Sequence, residues 1–194
     1  MATKIAICNT ALTLIGADEI ISFDDDTNEA RVSARLYTST VNDVASRYPW
    51  RFLVPQVQLS RESATPDLKW DAAYQIPAGT DLIRGVFVQD VPIDFDRNGD
   101  LILCNAAEAD VVMAEMTVPA HGSEEDWPGY FTTVIELELA AALAVPIGDR
   151  IELSDFYTKK ANAHFSLART ADAQGRTTKK LRTWRMKSVR FGRV

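Results

Sequence analysis

The sequence predicts an α+β protein: an antiparallel helical bundle with a small antiparallel β-sheet inserted in it and an extended basic C-terminal tail. Three observations predict it. Apolar residues recur at helical spacing up to residue 50 and again after Pro119. Between those stretches, short β-prone runs alternate with Pro, Gly and Asn. Residues 175–194 hold eight basic residues and no acid. Residues 1–50 and 127–174 are therefore assigned to the bundle, 51–126 to the inserted β region with its loop, and 175–194 to the tail.

The first helix is expected from about Thr3 to Ile15, with Ile5, Cys8, Leu12 and Ile15 at helical spacing and Gly16 as C-cap. Asn9, Thr10 and Thr13 interrupt its apolar run, so the N-terminus reads as a helix rather than a secretory signal. In the following loop, Ile20, Ile21 and Phe23 are expected to pack back on the helices. The second helix is the clearest periodic signal. Ala30, Ala34, Tyr37, Val41, Val44 and Tyr48 alternate spacings of four and three along one stripe. Asp26 is expected to cap it with Glu29, and Asp24 and Asp25 suit the positive end of its dipole. Pro49 stops the helix, and Trp50 and Phe52 follow at once.

Strands are expected at 52–59, 69–76, 82–90, 91–96, 100–105 and 109–118, forming one small sheet. Asn98-Gly99 predicts a hairpin with a type I′ turn, which needs positive φ at both central residues. Trp127-Pro128 marks a third helix, with Phe131, Val134, Ile135, Leu139, Ala142 and Leu143 on one face and Pro146 and Gly148 ending it. A fourth, from about Ser154 to Gln174, carries Phe156, Tyr157, Ala161, His164, Phe165, Ala168 and Ala171, and Gly175 closes it. The short connection makes these two helices an antiparallel hairpin.

Composition sets outer limits. With 46% apolar and 25% charged residues, the chain can build a core within one domain. No apolar run approaches the ~20 residues that span a bilayer. Two distant cysteines, Cys8 and Cys104, give no disulfide framework and suit a reducing cytoplasm. The net charge of −6 is unevenly spread: taking away the tail's +8 leaves −14 on the other 174 residues. An acidic body with a basic tail suggests that the tail meets an acidic partner surface or nucleic acid.

Residues able to carry chemistry have structural explanations. Asp94 to Asp100 follows the first half of a calcium loop, D-x-D-x-N-G, but Asn105 stands where its bidentate glutamate is needed. The two histidines, His121 and His164, have no cysteine or carboxylate at zinc-ligand spacing. Neither G-x-x-x-x-G-K-[ST] nor G-x-G-x-x-G is present, and no G-x-S-x-G elbow. Glu124 and Glu125 suit the start of a helix, while Glu136 and Glu138 stand unexplained among apolar neighbours. No enzyme and no cofactor is expected. The tail differs, because Trp184 and Phe191 lie among its basic residues. Aromatics in that setting serve as interface anchors or stack on nucleic-acid bases.

With these elements in order, the chain resembles the tail tubular protein A family, head-to-tail adaptors of short-tailed bacteriophages. The resemblance is carried by ALTLIGADEIISFDDD and EARVSARLYTSTVNDVASRYPWRF, running into Trp50. Tyr74-Gln-Ile-Pro77 with Asp81-Leu-Ile-Arg84, and Phe131 to Leu143 with the following helix and tail, continue it. It implies a ring of about twelve copies below the capsid portal, with the portal protein and a downstream tail or nozzle protein as partners. DNA would pass through without sequence-specific binding, no membrane is involved, and the protein belongs to the virion neck after assembly in the host cytoplasm. The segment implied to grip the portal contains Arg176, Lys179, Lys180, Arg182, Trp184, Arg185, Lys187, Arg190, Phe191 and Arg193. The alternative is a DNA-binding module that uses the same basic, aromatic tail.

Overall fold

The computed structural model describes residues 3–63, 66, 69–120 and 124–175. It is a mixed α+β protein with four α-helices and two small antiparallel sheets among those residues. In α1 (Lys4–Ile15) the Thr3 hydroxyl accepts the Ala6 N–H at 3.2 Å, and Gly16, at φ +72°, provides the left-handed C-cap. The following loop turns back on α1: Asn9 exchanges two 2.9 Å hydrogen bonds with the backbone of Ile20. Ile20 is buried and Phe23 packs on Tyr37, but Ile21 is 89% exposed, against expectation.

The cap of α2 (Asn28–Ser46) is Thr27, not Asp26. Thr27 has the extended backbone that an N-cap needs, and its hydroxyl accepts the Ala30 N–H at 3.2 Å. Asp25 instead ties the acidic loop, accepting from the N–H groups of Ile21 and Ser22. Ala30, Tyr37, Val41 and Val44 are buried as expected, but Ser33 completes the stripe and Ala34 faces out. At about 100° per residue, Ser33 lies nearer the line through Tyr37 than Ala34 does. Trp50, fully buried, meets Tyr48, Phe131 and Phe165 edge-on at 5.0–5.6 Å, and its indole N–H donates to the Val44 carbonyl at 3.0 Å.

Helix α3 (Gly129–Gly148) packs against α1, α2 and α4, which explains its burial around most of its circumference. It corrects the expectation about apolar runs, for by length and composition it could cross a membrane. Pro146 does not end it. Near a C-terminus a proline removes a single intrahelical bond, and the helix continues to a left-handed cap at Asp149, φ +50°. Only Asp149 and Arg150 separate α3 from α4 (Ile151–Gln174), which folds back along it and starts earlier than expected. Tyr157, Ala161 and Ala168 face inward, whereas Phe156 and Ala171 are exposed.

Eight strands follow α2: β1 (Gln56–Gln58), β2 (Ser60–Arg61), β3 (Ala72–Gln75), β4 (Leu82–Val88), β5 (Val91–Ile93), β6 (Phe95–Asn98), β7 (Leu101–Cys104) and β8 (Val112–Thr117). They form two sheets, β1-β8-β4-β5 and β2-β3-β7-β6, where one was expected. A 3-10 turn at Arg51–Leu53 takes up the start of the first expected strand. Only Leu59 separates β1 from β2, and only Asp94 separates β5 from β6. Residues 56–61 thus form one bent strand that pairs with β8 and then β3, and 91–98 another that pairs with β4 and then β7. With β3–β7 and β4–β8 paired as well, the ladder closes on itself as a small six-stranded barrel. Closure removes the long edges that would template further pairing. A second core of Tyr74, Val86, Ile102, Cys104, Ala114 and Met116 fills it.

The Asn98-Gly99 hairpin forms, but its turn is shifted by one residue. Asn98 pairs with Leu101, and only Gly99 has positive φ, the pattern of a type II′ turn at Gly99-Asp100. The type I′ pattern occurs instead at Gln89-Asp90, with φ +49° and +63° between paired Val88 and Val91.

Candidate functional site

The expected partner-binding residues, Arg176, Lys179, Lys180, Arg182, Trp184, Arg185, Lys187, Arg190, Phe191 and Arg193, lie outside the described residues. What the structure describes is the root from which they continue. In the last turn of α4, Asp172 is buried, with 5% of its surface exposed. Its carboxylate accepts the Tyr130 hydroxyl at 2.8 Å and the Arg51 backbone N–H at 3.1 and 3.2 Å. The Arg51 guanidinium in turn donates to the carbonyl of Gly175. Three elements meet here: the end of α4, the start of α3 and the turn after Trp50. Burial pushes the Tyr130 phenol well above its ordinary range, and the bond to Asp172 adds to the shift, so the hydroxyl stays a donor.

Sequence reasoning missed this root. A signal was present: Asp172 continues the series Tyr157, Ala161, Ala168 at helical spacing, an acid in a stripe of inward positions. Buried acids need partners, and Arg51 and Tyr130 supply them. The same rule accounts for other carboxylates. Glu138 pairs with Arg47, which also bonds Asp43 four residues back on α2. Burial disfavours the charged Arg47, but its bonds to Glu138 and Asp43 outweigh that and hold its pKa above the usual value. Glu124 is no helix-dipole residue in solvent: it is buried, accepts the Tyr37 hydroxyl at 3.2 Å and lies 3.8 Å from the Lys4 ammonium. Glu136 is half-buried between α1 and α3, and desolvation raises its pKa.

A cleft of about 380 Å³ opens where α2 meets the barrel, with Asn42, Ser46, Asp81, Leu82, Arg84 and Val118 on its walls. None of the groups with shifted ionisation lines it; Cys8, Tyr37, Tyr74 and Cys104 lie in the two packed cores. Both cysteines are buried and unpaired, and burial pushes the Cys8 thiol up to about 12. His164 is half-buried on α4, and His121 lies outside the described residues. Among the described residues no group of three His, Cys, Asp or Glu could hold a metal ion. No protein-family model matches this chain, and no curated protein matches it in sequence.

Proposed function

We propose that this chain is a head-to-tail adaptor of a tailed bacteriophage, a structural virion protein and not an enzyme. About twelve copies form a ring below the portal, lengthen the DNA channel and offer a surface to the next tail component. The observation that carries the reading is the union of an acidic body with a +8 tail whose root is locked by Asp172 and Arg51. A basic, aromatic segment that leaves a fixed root can cover a large surface on a partner. Twelve such tails on one ring add avidity through effective concentration. The tail residues from Arg176 to Arg193 grip the portal, and the helical bundle forms the wall of the ring. An acidic channel lining lets DNA pass without being held by counterion release. No cofactor and no membrane takes part in this reading; α3 packs against three neighbouring helices.

The test is co-assembly with portal rings, comparing the full chain with one ending at Gly175 by electron microscopy. Rings stacked on the portal only when the tail is intact support the adaptor. If the full chain ignores every portal offered but binds duplex DNA with a steep salt dependence that vanishes with the tail, the DNA-binding alternative replaces it.

A further inference from the structure

Helix α4 buries one face and leaves another apolar face bare. Phe156 and Leu167 are 55% and 66% exposed. Eleven residues of helix bring them to within about 20° of each other around the axis, roughly 110° from the buried line through Tyr157, Ala161 and Ala168. They line one side of the helix, about 16 Å apart, with exposed Ala163 between them. Charge is graded beside them. Exposed Glu152 and Asp155 precede Phe156, and exposed Lys159 and Lys160 follow it.

Helix α2 carries a face of opposite character. Arg31, Ala34, Arg35, Thr38 and Asn42 are exposed along one side, and Asn42 leads into the cleft beneath Leu82. Ala34 to Ala45, at the cleft wall, is again eleven residues or about 16 Å, the separation of Phe156 and Leu167. Arg31 and Arg35 sit at the N-terminal end of this face.

We propose that α4 of one copy docks in parallel on α2 of the next, Phe156 over Ala34 and Leu167 at the mouth of the cleft. In that register Glu152 and Asp155 meet Arg31 and Arg35. The antiparallel register, with Phe156 at Ala45, would instead leave Glu152 and Asp155 about 16 Å or more along the axis from both arginines, with no partner for either charge pair. Parallel packing also follows from the fold. Both helices run to the Trp50–Arg51 junction, where Arg51 bonds Asp172, so a rotation about an axis along them keeps them parallel. The contact joins two different faces and therefore propagates from copy to copy, closing when the rotation divides a full turn. Its place in a ring rests on the adaptor reading, but the contact itself is tested without a portal.

Sedimentation of the full chain at rising concentration and low salt is the experiment. Wild type self-associates; Arg31→Glu with Arg35→Glu weakens association about tenfold or more, and so does Glu152→Arg with Asp155→Arg. The fourfold variant, with both faces reversed, recovers it. Leu167→Lys, at a position already in solvent, weakens it while leaving the circular dichroism spectrum unchanged. A wild-type chain that stays monomeric at every concentration overturns the proposal. So do charge reversals without effect, or a fourfold variant that does not recover. Association lost on ending the chain at Gly175 would make the tail the occupant and overturn it too. If the contact passes and portal co-assembly fails, only the adaptor reading falls.

Discussion

The carboxylate of Asp172 accepts the backbone N–H of Arg51, 121 residues earlier, and so joins the last turn of α4 to the turn that leads into the barrel. The same carboxylate takes the Tyr130 hydroxyl from the start of α3. Asp172→Ala leaves two half-buried donors without an acceptor and should destabilise the fold by about 2 kcal/mol. Tyr130→Phe removes one donor, leaves the Arg51 bond in place and should cost about 1 kcal/mol. Urea unfolding of both variants checks the ranking. Equal losses would mean that the carboxylate matters only through Tyr130.

The contrast between Asp172 and the stripe of α2 shows what the sequence can and cannot reveal. Tyr37, Val41 and Val44 were legible because apolar residues at helical spacing have one way to leave water. The long-range partner of Asp172 was not, since no local rule links residue 172 to residue 51. Barrel closure was hidden for the same reason. The bends at Leu59 and Asp94 are small local events, and only the pairing of each half with a different sheet makes them corners. Capping chemistry misled by one residue at Thr27, because aspartate ranks above threonine as an N-cap by residue type, yet backbone geometry decides between them. The basic tail was legible as charge alone, and its root only in three dimensions.

The hairpin between β4 and β5 has both turn residues in the left-handed region, yet they are Gln89 and Asp90. Side chains with a Cβ are strained there, and Asn-Gly is the pair that fits a type I′ turn. Gln89→Asn combined with Asp90→Gly should raise stability by about 1 kcal/mol, most of it from relief of strain. Thermal melts measure this directly. A loss of stability would show that one of the native side chains makes a contact worth more than its strain.

Glu136 gives a pH signature. Burial raises its folded pKa above the ordinary carboxylate value, so the fold prefers the neutral acid. Its contribution is complete below the unfolded pKa and is lost as pH rises through the folded value. Glu136→Gln keeps the site neutral at every pH. The variant should therefore melt above wild type at pH 7, and the gap should close toward about pH 4, where the unfolded glutamate also protonates. A gap that widens on acidification would contradict the sign.

Two hydroxyls on α2 should respond to the same substitution in opposite directions. Thr27 accepts the Ala30 N–H at the helix start, and Thr27→Ala should cost about 1 kcal/mol. Ser33 is fully buried, and its hydroxyl has no hydrogen-bond partner among the described residues. Burial has stripped that oxygen of water and given nothing in return. Ser33→Ala removes the unmet group, leaves only a small void and improves helix propensity, so it should stabilise by about 0.5–1 kcal/mol. Guanidinium unfolding of the two variants beside wild type gives midpoints on either side of it. A destabilised Ser33→Ala would mean that the hydroxyl finds a partner in solution, a bound water being the simplest.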